Sequence, residues 1–74
     1  MTFEIGKGYT DGFNQTWHVL CKAIVQGKIV LSLERRMPLM YAIGVVEGGF
    51  DGTRADVLCP VRVSTIIDRK EVKE

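Results

Sequence analysis

The chain is 74 residues long, 46% hydrophobic and 26% charged, and its ten basic and nine acidic side chains give a formal net charge of +1. That length holds a single domain, residues 1–74, and the composition excludes a disordered or fibrous chain. The charge is spread evenly, so bulk electrostatic attraction to nucleic acid is not favoured, and no window approaches the roughly 18 apolar residues of a membrane span.

In chain order, Thr2–Ile5 reads as a brief strand. Over Asp11–Gln26 the large apolar residues Phe13, Trp17, Leu20, Cys21 and Ile24 recur at the spacing of a helix face. This predicts an amphipathic helix over 11–26, with Thr10 or Asp11 as N-cap and Gly27 as the residue that ends it. Trp17, in mid-stripe, becomes its core anchor. Lys28–Glu34 alternates, with Ile29, Leu31 and Leu33 on one face, and predicts a half-buried strand. Pro38 cannot donate to a ladder, so a turn or strand edge belongs at 35–38. Leu39–Glu47 is apolar on both faces and predicts a strand covered on both sides. Val46–Arg54 carries three glycines between two β-patterned segments, and Asp51-Gly52 predicts a hairpin turn there in preference to a phosphate loop. Ala55–Asp68 alternates again, and Pro60 splits it into two strands or marks an edge. The charged residues 69–74 are expected to fray.

Chemistry-bearing motifs are sparse. His18 and Cys21 stand three apart, yet Cys59 is the sole further Cys or His, too few for a closed zinc site. The plain expectation is a buried, inert Cys21 and a solvated His18. Glu34, Glu47, Asp51, Asp56 and Asp68 are scattered, and no nucleophile elbow or metalloprotease motif occurs. No catalytic residue, metal or cofactor is therefore expected, and the chain reads as a non-enzyme. With two cysteines and no apolar leader at the N-terminus, a cytoplasmic protein with free thiols is expected.

The order of elements, with Gly44-Val45-Val46-Glu47-Gly48-Gly49-Phe50-Asp51 and later Val63-Ser64-Thr65-Ile66-Ile67, resembles the Sm-like small-barrel family over roughly residues 11–69. The resemblance implies a barrel that assembles into rings and binds RNA. It would put Asp51 in a loop near the RNA pore and Arg62 at the basic position before the last strand.

The sequence thus predicts an α+β domain: one N-terminal amphipathic helix packed on a bent antiparallel sheet of three to five strands, open or closed as a small barrel. One helix covers one sheet face. The surplus apolar positions, Met40, Ala42, Val46, Leu58 and Ile66, are then expected either inside a barrel or against a partner, which points to a non-enzymatic module acting through protein–protein contact, as a homo-oligomer or a partner-binding regulator. The alternative is a nucleic-acid-binding barrel using Arg35, Arg36, Asp51, Arg54 and Arg62. No membrane contact is expected.

Overall fold

A computed structural model describes residues 3–47, 54–59 and 62–71, with the backbone alone at residues 59, 62–64 and 68–71. Six strands follow in chain order: β1 (Gly8–Asp11), β2 (Thr16–Val25), β3 (Lys28–Arg36), β4 (Leu39–Glu47), β5 (Arg54–Cys59) and β6 (Arg62–Glu71). Each pairs antiparallel with the next, and β6 returns to β1, so the sheet closes into a barrel. Closure leaves an inside and an outside to every strand. That division accounts for the inner apolar face of β4, Ala42, Gly44 and Val46, and leaves the outer one exposed.

The interior is built from cross-strand rows. Val19, Leu33 and Ala42 form one; Leu31, Gly44 and Val57 form the next; Val46, Ala55 and Ile67 form a third. All are buried, together with Phe3, Tyr9, Trp17 and Ile29. Gly44 is required here, because a Cβ at that position would stand 2.9 Å from Leu33 Cδ1 and 3.6 Å from Leu31 Cβ.

The expected helix over 11–26 does not form, and the fold is all-β among the described residues. Residues 12–15 make a turn and residues 16–25 are the longest part of a hairpin. The physical reason lies at Leu20. Trp17 and Val19 point inward on a regular ladder, but the register shifts between Val19 and Cys21, so the extra residue inverts the in-out order beyond it. A bulge in a period-two pattern leaves apolar residues at irregular offsets that mimic a helix stripe. Two side chains differ from expectation: Cys21, beyond the bulge, is exposed, and His18, ahead of it, is buried where it pairs with Gly8.

The two helix-end signals act in turns instead. Asp11 Oδ1 accepts the N–H groups of Phe13 (2.7 Å) and Gln15 (3.0 Å), which is capping chemistry applied to the β1–β2 connection. Gly27 has φ 78° and Gln26 φ 52°, the two left-handed residues of a type I′ hairpin turn between β2 and β3. Of the remaining expectations, β3 starts where alternation put it but runs on through Arg36; β4 spans the expected 39–47 but is covered on its inner face only, Leu39, Tyr41 and Ile43 being exposed; and residues 3–5 are not strand. The Asp51-Gly52 turn and Pro60 lie outside the described residues, although Glu47 pairs with Arg54 across the first and Cys59 with Arg62 across the second.

Candidate interaction surface

One end of the barrel holds the turns after β1 and β3. There Asp11, itself buried, accepts a third hydrogen bond at Oδ2, from Trp17 Nε1 at 2.8 Å. The Arg35 guanidinium lies over the Trp17 ring, 5.4 Å from its centroid, and Arg35 Nε donates to the carbonyl of Pro38 at 3.2 Å. Cation–π contact and hydrogen bond together hold the guanidinium across the barrel mouth. A single chain of contacts thus ties the β1–β2 turn to the β3–β4 turn. These pinned turns carry Phe13 and Met37, both exposed.

The outer wall continues that apolar character along β4. Pairing places Cys21, Ser32, Ile43 and Leu58 in one outer row, and Ala23, Val30, Val45, Asp56 and Ile66 in the next. Asp56 is the single charge in these two rows. Leu39 and Tyr41, each 63% exposed, extend the same face toward the pinned turns, while Ile43 is 44% and Ile66 36% exposed. Beyond these two rows the outer residues become charged. Glu34 and Arg36 flank it on one side, with Arg36 Nε 3.4 Å from Glu34 Oε1, and Lys28, Glu47 and Arg54 lie on the other. An apolar centre with a rim of both signs is the anatomy of a protein contact surface.

Of the residues expected to meet a partner, Ala42 and Val46 are enclosed in the core. Met40 is inward but 37% exposed at the barrel end beside Arg35, its ladder partner, and Leu58 and Ile66 stand on the outer wall. The structure therefore brings Leu58 and Ile66 together with a row the sequence reading did not name: Leu39, Tyr41 and Ile43. A signal for it existed. Met40, Ala42, Gly44 and Val46 include the small residues that a narrow barrel admits, whereas the opposite face carries the bulky ones.

Among the arginines whose side chains are described, Arg35, Arg36 and Arg54 do not gather into one basic site. Arg35 is engaged at the mouth, Arg36 sits beside Glu34, and Arg54 stands at the far end of the wall, opposite Glu47. Arg62 begins β6 with its backbone paired to Cys59, and Asp51 lies outside the described residues. Among the described residues no cluster of three or more His, Cys, Asp or Glu suited to a metal occurs, and there is no helix long and apolar enough to cross a membrane. No protein-family model, curated protein or solved structure matches the chain. A six-stranded barrel by itself does not identify the Sm-like family.

Proposed function

We propose that this chain is a non-enzymatic interaction module that acts through protein–protein contact, with the outer belt of β4 and its neighbours as the contact face. The observation that carries the reading is the exposed row Leu39, Tyr41 and Ile43, continued by Leu58 and Ile66. Water-facing rows of a closed barrel have no structural need of bulky apolar side chains; the inside of this barrel is already filled. The fitting partner is an apolar protein surface edged by charges of both signs, because the belt's rim of Lys28, Arg36, Arg54, Glu34 and Glu47, with Asp56 inside it, is balanced. A polyanion gains little from such a rim.

The test compares immobilised wild-type chain with Tyr41→Glu and Ile43→Glu chains in the same cell extract, with Lys7→Ala as a control away from the belt. The expected result is a protein retained by wild type and control and released by both belt variants. Identical capture by all four chains, or retention of nucleic acid alone, overturns the reading.

A further inference from the structure

We propose that Arg35, at the barrel mouth, binds one carboxylate of the partner protein, an acidic side chain flanked by apolar ones. This rests on the contact face proposed above and names the polar group that orients the partner on it. Arg35 stands two residues beyond Leu33 on β3 and so keeps the inward parity of Ile29, Leu31 and Leu33. At the end of the ladder its cross-strand partner is Met40 and the Trp17 ring lies beneath it, which leaves the side chain half-buried.

The guanidinium is held at two points and open at a third. Its plane lies over the indole, 5.4 Å from the ring centroid, and Nε donates to the Pro38 carbonyl at 3.2 Å. Nε is thereby engaged, and the two terminal NH₂ groups meet no acceptor among the described residues. Asp11 does not take them: its two oxygens accept from Phe13, Gln15 and Trp17. Those NH₂ groups present parallel N–H bonds at the spacing of carboxylate oxygens. A fork already fixed by stacking loses little further freedom when an anion arrives.

Charge, setting and depth choose among anions. Arg36 lies beside Glu34, whereas Arg35 has no carboxylate partner among the described residues, so the mouth offers one uncompensated guanidinium. One guanidinium matches one carboxylate; a nucleic-acid backbone draws its affinity from a row of cations. The setting is apolar, because exposed Phe13 and Met37 project from the adjoining turns and exposed Leu39 follows Pro38 directly. Groups beside the anion are therefore apolar too, and the weakly polar surroundings strengthen the ion pair. Depth excludes a fatty acid: Trp17, Leu31 and Leu33 fill the barrel below the mouth, so an acyl chain has nowhere to enter. The apolar part of the ligand has to rest on the turns and on Leu39, where the belt begins, as the side chains of a docked protein do.

Trp17 is the chain's one tryptophan, so its emission, together with the Arg35 Nε–H resonance, reports on this site. The full chain is titrated with acetyl-leucyl-aspartyl-leucine amide and, for comparison, with the asparaginyl peptide, inorganic phosphate and decanoate. The aspartyl peptide is expected to bind saturably and at least about tenfold more tightly than the asparaginyl peptide or phosphate. Arg35→Lys keeps the charge without the fork and is expected to weaken the aspartyl peptide about tenfold, with an unchanged circular dichroism spectrum. The comparison of ligands on the wild-type chain does not depend on that variant folding. No saturable response, equal binding of the two peptides, tighter binding of phosphate or decanoate, or full affinity in folded Arg35→Lys would each overturn the proposal. The contact-face reading fails separately: capture unchanged by Tyr41→Glu and Ile43→Glu, with the aspartyl peptide still bound by wild type, removes the belt and leaves the Arg35 site.

Discussion

Asp11 shows how one side chain sets local structure. Its carboxylate accepts from two part-buried backbone N–H groups and from the Trp17 indole, and it lies in the protein interior, so removing it strands the buried indole donor and takes the acceptor from the two backbone donors of the turn. Asp11→Ala is expected to cost about 2–4 kcal/mol in urea unfolding. Asp11→Asn is expected to cost less, because an amide oxygen still serves the backbone while its NH₂ meets the Trp17 donor. Equal losses for the two would mean that the two backbone bonds contribute nothing and that the indole bond carries the whole effect. Gly44 is the steric counterpart. Its Cβ would meet Leu33 of the neighbouring row, and Leu31 and Leu33 are both fully enclosed, so Gly44→Ala is expected to destabilise by about 1–2 kcal/mol, read from the urea midpoint at constant slope. The capping chemistry of Asp11 was legible in the sequence. What followed it was not, since the same side-chain acceptor opens a helix or closes a turn.

At the scale of elements, what the sequence revealed depends on whether a strand is regular. β3 alternates without interruption, and Ile29, Leu31 and Leu33 are buried where a period of two puts them. β2 holds a bulge, and inserting one residue defeats a reading that depends on parity. The β2–β3 turn compounds the ambiguity, because a glycine with positive φ ends helices and makes hairpins alike. Gln26 is the uncommon partner in that turn, a long side chain at φ 52°, where asparagine is better tolerated. Gln26→Asn is expected to raise stability by about 0.5 kcal/mol without altering the fold. A neutral or negative change in the thermal midpoint would show that Gln26 makes a compensating contribution.

For the whole molecule, the two-sided apolar strand was the informative sequence feature, and closure explains half of it while the belt holds the other half. Closure itself is uneven. Long ladders join β2, β3 and β4, whereas β1 meets β6 at Tyr9↔Glu71 and Asp11↔Ile67 with a register shift between them. The segment before β1 reinforces this seam. Phe3 is fully buried and meets the Tyr9 ring edge-on at a centroid distance of 4.7 Å, and the Glu4 N–H donates to the Tyr9 hydroxyl at 2.9 Å. Phe3 therefore packs against the short β1 strand at the seam, and its backbone leads directly to the bonds that Gly6 and Lys7 make with Val19. Phe3→Ala is expected to cost about 3–4 kcal/mol, the range for emptying an enclosed aromatic site. The loss should be local before it is global: amide exchange at Glu4, Gly6 and Val19 accelerates first, while the paired amides of β3 and β4 keep the protection of the whole barrel. Equal acceleration in both places would mean that seam and ladder open as one unit, and that the N-terminal segment holds the entire sheet closed.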